Sequence, residues 1–147
     1  MKSVYYDSAY IFKTLCAEDG YAEVQKHMGT VSELVCSLHG KAEVISVCHR
    51  KFREGYATHP QLLGFLAQLR MDITQGVIRW LPITEEIVAR VENVYASAPA
   101  NTFIRAADAL HLASAAENGF DEIFSNDRHL LIAAPLFGLR GINIIPS

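Results

Sequence analysis

Four carboxylates in the sequence have positions from which they could act together: Asp7, Glu43, Asp108 and Asp127. Asp7 and Asp127 each follow a short apolar segment typical of a strand, whereas Glu43 and Asp108 lie in segments with helical spacing. Carboxylates that lie close together repel each other, and Mg²⁺ or Mn²⁺ relieves this repulsion because hard cations prefer oxygen ligands. Such an ion polarises a phosphoryl group and activates water. The four acids therefore indicate phosphodiester hydrolysis without a protein nucleophile.

Three of these acids also have simpler structural explanations. Asp7 and Asp127 are at positions where a side-chain oxygen could cap the next helix or fix a turn. Asp108 could form an ion pair with Arg105, three residues earlier on the same helix. Burial of Asp108 among alanines would be costly without a partner, so both explanations of Asp108 stay open.

The fourth acid, Glu43, is the least distinctive of the set when judged by periodicity alone. It could be a surface side chain that pairs with Lys41 or His39. Glu33 competes for the same role, although a strand rather than a helix is predicted after Thr30-x-x-Glu33, which argues against a capping box there. The residues by themselves leave Glu43 and Glu33 as alternatives.

The elements that position these acids alternate between short apolar segments and longer helical ones. Strands are predicted at residues 4–6, 34–36, 77–83, 123–124 and 142–145, with helices at 8–17, 21–28, 37–53, 84–98, 103–118 and 129–134 and a further helix from Pro60. Ser8 is predicted to cap the first helix. This alternation predicts an α/β fold with a central parallel sheet, helices on both faces, and one domain over residues 1–147. Ligands of such sheets bind beyond the carboxyl ends of the strands.

Composition excludes several classes of protein. The 147 residues carry 13 Lys and Arg against 16 Asp and Glu, a net charge of −3, which is unlike a basic nucleic-acid clamp or a polybasic membrane binder. The longest apolar stretch, residues 130–139, contains Pro135 and is too short to span a bilayer. Three cysteines without CxxC spacing and the lack of a secretion signal predict a reducing, cytoplasmic location.

Other catalytic motifs are missing from the sequence, which contains no HExxH, GxSxG, GxGxxG or GxxxxGK[ST]. Cationic side chains that could contact a phosphate backbone are few. Arg105 and Arg128 neighbour two of the candidate acids, and Lys51 and Arg53 lie in a basic helix end that could equally be a solvated end complementing the helix dipole.

Four segments of the sequence resemble PIN-domain proteins, in particular the VapC-type toxin ribonucleases of prokaryotes. The most specific is Arg105-Ala106-Ala107-Asp108-Ala109-Leu110-His111-Leu112-Ala113, which is similar to the family's Arg-x-x-Asp-Ala-Leu-His-Leu-Ala helix almost letter for letter. The others are residues 5–13, 37–44 and 123–130, and they contain Asp7, Glu43 and Asp127. The resemblance selects Glu43 over Glu33. The sequence departs from the family at Ala9, where a second hydroxyl residue is common, and at Asn126, where an apolar or aromatic residue is more usual.

The resemblance implies a PIN-like three-layer sandwich and an Mg²⁺- or Mn²⁺-dependent endoribonuclease, the toxin of a type II toxin–antitoxin pair. All four acids would bind the metal and act in catalysis, and Ser8, Arg105 and Arg128 would contact the RNA. It also implies a cognate antitoxin protein and a homodimer. The alternatives are a non-catalytic PIN scaffold that binds RNA or a protein, and a DNA nuclease on the same fold. An exposed apolar patch is predicted among Tyr10, Phe12, Leu62, Phe65 and Leu66.

Overall fold

The computed structural model describes residues 2–146. Five strands span Ser3–Tyr5 (β1), Glu33–Ser37 (β2), Ile78–Leu81 (β3), Glu122–Phe124 (β4) and Arg140–Ile142 (β5). Helices span Ser8–Leu15 (α1), Tyr21–Met28 (α2), Leu38–Arg53 (α3), His59–Thr74 (α4), Glu85–Ser97 (α5), Ala106–Glu117 (α6) and Arg128–Ala133 (α7), and a 3₁₀ helix covers Ala134–Phe137.

All strand pairs in the described residues are parallel. β1 pairs with β2 and β2 with β3, with Val4 opposite Leu34 and Leu34 opposite Ile78. β4 pairs with β5, and a bridge between Tyr6 and Phe124 joins the two groups of strands. The strand order across the structure is therefore β3-β2-β1-β4-β5, with β1 at the centre.

The order of the strands determines which helices share a face. Right-handed crossovers place α1–α4 on one face and α5–α7 on the other, in agreement with the contacts of α1 with α3 and of α5 with α6. The predicted α/β fold with a parallel sheet between helices is confirmed. The chain changes direction across the sheet between β1 and β4, and this reversal opens a crevice at their carboxyl ends.

The core consists of the sheet and the inner faces of the helices. It includes the residues of the apolar patch that the sequence predicted on the surface. Tyr10 is fully buried, Phe12 and Leu62 are buried, and Phe65 and Leu66 are partly buried against them. The predicted apolar patch is therefore wrong, because the large side chains on α1 and α4 pack inward. No helix within residues 2–146 is long and apolar enough to cross a bilayer.

The first helix and the last strand differ from the prediction in their capping residue and in their bounds. Asp7, not Ser8, caps α1, because its carboxylate accepts the Tyr10 backbone N–H at 2.9 Å. The last strand is Arg140–Ile142 instead of 142–145. The Asn143 side chain accepts the Ile145 N–H at 3.0 Å and so turns the chain away from the sheet.

The start of α6 also differs from the predicted helix at 103–118. The helix begins at Ala106, and the Ile104 carbonyl instead accepts the Tyr95 hydroxyl at 2.6 Å. Arg105 is the extended residue that precedes the helix.

Candidate active site

Asp7 follows the carboxyl end of the central strand and caps α1. Its Oδ1 accepts the Tyr10 N–H, and its Oδ2 accepts the Ser125 hydroxyl at 2.5 Å. Only 5% of Asp7 is exposed. Burial raises the pKa of this carboxyl, and the Asp108 charge adds to the rise, against the opposing effects of His111 and the two hydrogen bonds. A cation nearby would stabilise the ionised form of Asp7.

Asp127 follows the neighbouring strand, β4, and caps α7. Its Oδ1 accepts the backbone N–H groups of His129 and Leu130, which leaves Oδ2 for another partner. The Asp127 N–H donates to the Ser125 hydroxyl oxygen at 2.9 Å, so the same hydroxyl connects Asp127 to Asp7. The capping explanation is confirmed for both aspartates, and each keeps one oxygen directed to contacts beyond its own helix.

Asp108 lies in the first turn of α6 and is joined to Asp127 by Arg105. The guanidinium donates to Asp108 Oδ2 at 3.2 Å and to Asp127 Oδ2 at 2.8 Å. The predicted Arg105–Asp108 pair is confirmed. Burial nevertheless raises the pKa of Asp108, helped by the Asp127 charge and opposed by Arg105. Arg105 is largely exposed, so it can move without disturbing the core.

Glu43 approaches from α3 and contacts two histidines. His111 Nε2 lies 2.8 Å from Glu43 Oε1, and His39 Nε2 lies 3.6 Å from the same oxygen. Of the two surface partners predicted for Glu43, His39 is confirmed. Glu33 lies elsewhere, because it begins β2 and pairs with Arg79. Partial burial acts to raise the pKa of Glu43, but the hydrogen bond and charge of His111 outweigh it, and the pKa is lowered.

The buried His111 is the residue that connects these groups. The sequence predicts it near the core on the Asp108 face of its helix, but not as a site residue. Its Nδ1 lies 2.8 Å from the Tyr5 hydroxyl. Burial acts to lower the pKa of His111, but Tyr5, Cys36 and Glu43 offset it, and the pKa stands well above the usual value. The signal available in the sequence was the His39-x-x-x-Glu43 spacing, which puts both side chains on one helix face.

Within residues 2–146, the one group of three or more His, Cys, Asp or Glu side chains whose ligand atoms all lie within 4.8 Å of one another is His39, Glu43 and His111. The three aspartates lie at the same sheet edge but are held apart by their own partners. Arg105 separates Asp108 from Asp127, and Ser125 lies between Asp7 and the Asp127 backbone.

The remaining predicted residues flank this arrangement. Ser8, the first residue of α1, interacts with Glu43 and helps to lower its pKa. Arg128 is exposed at the start of α7.

A small cleft of about 140 Å³ continues from the site, and Ala9, Lys13, Lys51 and Asn126 contribute to its lining. A larger cavity of about 430 Å³ lies at the opposite edge of the sheet, beside Ser3 and Glu122, away from the four acids.

Comparison with known proteins supports this description of the fold. A search of curated proteins found no match. Among solved structures, VapC20 of Mycobacterium tuberculosis, a sarcin-ricin-loop-cleaving toxin, aligns with a TM-score of 0.68 and 14% identity over 88% of this chain and 94% of that one. VapBC2 of Rickettsia felis, solved with a DNA fragment from its promoter, aligns with a TM-score of 0.66 and 11% identity over 97% and 98%.

A third structure, FitAcB of Neisseria gonorrhoeae, aligns with a TM-score of 0.62 and 17% identity over 98% of both chains. At these identities the likeness concerns the fold. The sequence model of the PIN domain family matches residues 4–134, which include all four candidate acids. The chain therefore belongs to the PIN domain family.

Proposed function

We propose that this protein is a metal-dependent endoribonuclease that acts as the toxin of a type II toxin–antitoxin pair in the cytoplasm, with the whole chain as one domain. The observation that carries the proposal is that Asp7, Asp108 and Asp127 lie at one sheet edge, by the β1/β4 crevice, and are linked there through Ser125 and Arg105. Ligands of parallel sheets bind at this kind of crevice. The raised pKa values of Asp7 and Asp108 are the electrostatic property that a bound cation would reverse.

The donor set fits a hard divalent cation. Asp7, Glu43, Asp108 and Asp127 would hold Mg²⁺ or Mn²⁺, because carboxylate oxygens are the ligands that these ions prefer. When bound, the ion would polarise the scissile phosphate and lower the pKa of an attacking water. The rest of the proposal concerns what the side chains of this chain do.

The protein's own groups position the phosphate and the acids. Arg105 is exposed and holds both Asp108 and Asp127, so a phosphate oxygen entering the crevice could accept from the same guanidinium. Arg128 offers a second cation at the site's rim. Ser125 donates a hydrogen bond to Asp7, and Ser8 helps to lower the pKa of Glu43.

The cleft lined by Ala9, Lys13, Lys51 and Asn126 gives a path for the flanking nucleotides. Lys13 and Lys51 both pair with Glu18, at 3.1 Å and 3.4 Å, and Lys13 is buried, so Lys51 is the more accessible cation of the cleft. A phosphate backbone is attracted to such a cation independently of base sequence. The two departures from the family pattern, Ala9 and Asn126, line this cleft and leave the acids intact.

The toxin role and the partners rest on the relatives. The similar structures include a VapBC complex and a sarcin-ricin-loop-cleaving toxin. By analogy, this protein would bind a cognate antitoxin, act on RNA and form a homodimer. The exposed apolar side chains that would be available for contacts with protein partners include Leu63, Met71, Phe103 and Ile132.

A non-catalytic scaffold is the second candidate, and one observation favours it. Arg105 pairs with both Asp108 and Asp127 and offsets one of their two negative charges, so the chain itself relieves part of the repulsion between these acids. The two candidates differ in whether metal changes the reaction and the stability of the native state.

The deciding experiment incubates the purified protein with end-labelled RNA and with DNA of the same sequence, in Mn²⁺ and in EDTA. We expect Mn²⁺-dependent RNA cleavage that Asp7→Asn abolishes. Cleavage of DNA alone would select the DNA nuclease. No cleavage by the parent, together with RNA or protein binding that Mn²⁺ does not alter, would select the scaffold.

A further inference from the structure

His39, Glu43 and His111 form a cluster whose geometry suits a metal with nitrogen ligands. The distances from Glu43 Oε1 to the two Nε2 atoms are 3.6 Å for His39 and 2.8 Å for His111. A tetrahedral ion bound at about 2.0–2.2 Å holds its ligand atoms about 3.3–3.5 Å apart. The observed separations bracket that range. His39 Nε2 also donates to the Ala107 carbonyl oxygen at 3.0 Å, so His39 must turn away from this contact and lose the Nε2 proton to complete the site.

Both histidines are oriented by a hydroxyl on their other ring nitrogen. The Tyr5 hydroxyl lies 2.8 Å from His111 Nδ1, and the Ser37 hydroxyl contacts His39 Nδ1. The Ser37 N–H also donates to the Tyr5 oxygen at 3.0 Å, which ties the two supporting groups together. Hydrogen bonds to the distal nitrogen are the usual means by which proteins fix a metal-binding histidine.

The backbone of α3 is adapted to the position of the His111 ring. A Cβ at Gly40 would come 2.9 Å from His111 Cε1 and 2.5 Å from Cys36 Sγ. Gly40 therefore lets α3 approach the imidazole closely and brings Glu43, one turn later, to its Nε2. The His111 side chain is 2% exposed, that of His39 15% and that of Glu43 35%, so the cluster opens to solvent on the Glu43 side.

We propose that His39, Glu43 and His111 bind a borderline transition-metal ion, with Zn²⁺ as the best match, at a site separate from a carboxylate-bound Mg²⁺ or Mn²⁺. Two imidazoles and one carboxylate suit Zn²⁺ and disfavour Mg²⁺, which takes oxygen ligands. Three protein ligands leave a fourth position for water or another ligand from the solvent side. No redox or covalent step is involved.

Glu43 belongs both to the histidine cluster and to the four acids proposed to bind Mg²⁺ or Mn²⁺, so binding at the cluster would affect activity. An ion bound to the two histidines withdraws the Glu43 carboxylate from the other three acids. Zn²⁺ therefore acts as an inhibitor of cleavage driven by Mn²⁺. This consequence rests on the proposed nuclease function, whereas the binding of Zn²⁺ by the cluster does not.

The test of binding uses the full chain without RNA, first stripped of metal with EDTA and then dialysed. Calorimetric titration with Zn²⁺ in excess Mg²⁺ should give one site per chain, and Co²⁺ should give the intense visible absorption of a four-coordinate ion. His39→Ala should abolish both signals, and Ser37→Ala should weaken Zn²⁺ binding about 10–100-fold. His49→Ala, an exposed histidine on the same helix, is the matched control and should bind like the parent. Circular dichroism melts confirm that each variant is folded.

Two results overturn the proposal. The first is a parent protein that binds Zn²⁺ no better than Mg²⁺. The second is a folded His39→Ala that binds Zn²⁺ like His49→Ala, which would place the ion on the aspartates. A cleavage assay in Mn²⁺ with added Zn²⁺ then addresses the inhibitory consequence separately. An inactive parent that still binds Zn²⁺ through His39 would contradict the nuclease and leave the metal site standing.

Discussion

The Ser125 hydroxyl donates to the Asp7 carboxylate at 2.5 Å and connects residues that are 118 positions apart in the sequence. The same oxygen accepts the Asp127 N–H, so one buried hydroxyl holds the ends of β1 and β4 together. The contact lies where the direction of the chain across the sheet reverses. Ser125 is consequently a positioning residue for two of the candidate metal ligands.

Ser125→Ala should destabilise the protein, because it leaves the buried Asp7 carboxylate with one hydrogen bond fewer. The expected loss is about 1–3 kcal/mol in the free energy of unfolding. Urea unfolding in EDTA measures it. Ser114→Ala is the matched control, because the buried Ser114 hydroxyl has no hydrogen-bond partner among the described residues. Equal stability of the two variants would contradict the role given to Ser125.

The fold and the placement of the three aspartates at one sheet edge were predictable from the sequence because each signal is local. Asp7 and Asp127 follow short apolar strands, and Asp108 lies in a helix whose letters match a known family. The alternation of strands and helices was sufficient for the α/β class. The capping of α1 by Asp7 was also visible as an alternative, since an acid and a hydroxyl in sequence compete for the same position.

The spacing of His39 and Glu43 was visible in the sequence, but the contact of His111 with Glu43 was not predictable. These two residues are 68 positions apart and meet only in the folded chain. The start of α6 and the last strand were misplaced for different reasons. The Tyr95 hydroxyl of α5 binds the Ile104 carbonyl before α6, whereas the Asn143 side chain accepts the N–H of Ile145 two residues later; both bonds override the local periodicity.

His27 should make the stability of the metal-free protein fall in mild acid. Burial lowers the pKa of His27, whose Nδ1 lies 2.5 Å from the Tyr6 hydroxyl. The unfolded state therefore takes up a proton first as the pH falls below about 6.5, and stability is lost until the pH passes below the folded-state pKa. His27→Phe keeps a ring against Phe124 but does not titrate. Urea unfolding between pH 7 and pH 5 should show a steeper loss for the parent than for His27→Phe; parallel curves would contradict this.

Lys51 should contribute to RNA binding through its charge. It lines the cleft beside the site, and its Nζ lies 3.4 Å from Glu18. If it contacts one phosphate, Lys51→Ala lowers the slope of log affinity against log salt by about one unit. Filter binding with an uncleaved RNA in EDTA measures the slope. Lys26→Ala, an exposed lysine on α2, should leave it unchanged. A Lys51→Ala slope equal to that of the parent would indicate a solvated helix end.

Asp108→Asn separates a metal ligand from a simple partner of Arg105. Burial and the Asp127 charge raise the pKa of Asp108, so the fold disfavours its ionised form despite the ion pair. Stability associated with this group falls as the pH rises from the unfolded-state value of about 3.9 towards the folded-state pKa. At pH 7 in EDTA, the neutral Asn variant should therefore be as stable as the parent or more so.

The same Asp108→Asn variant should lose most of its RNA cleavage in Mn²⁺ and most of the stabilisation that Mn²⁺ gives the parent. Thermal melts in EDTA and in Mn²⁺, run beside the cleavage assay, measure both effects. Asp121→Asn, an exposed acid at the opposite edge of the sheet, should match the parent in every measurement. If Asp108 serves only as a partner of Arg105, its variant instead loses about 0.5 kcal/mol and cleaves at the parent's rate. That outcome would show that Asp108 is not a ligand of the proposed metal, because loss of a ligand should weaken both metal binding and cleavage.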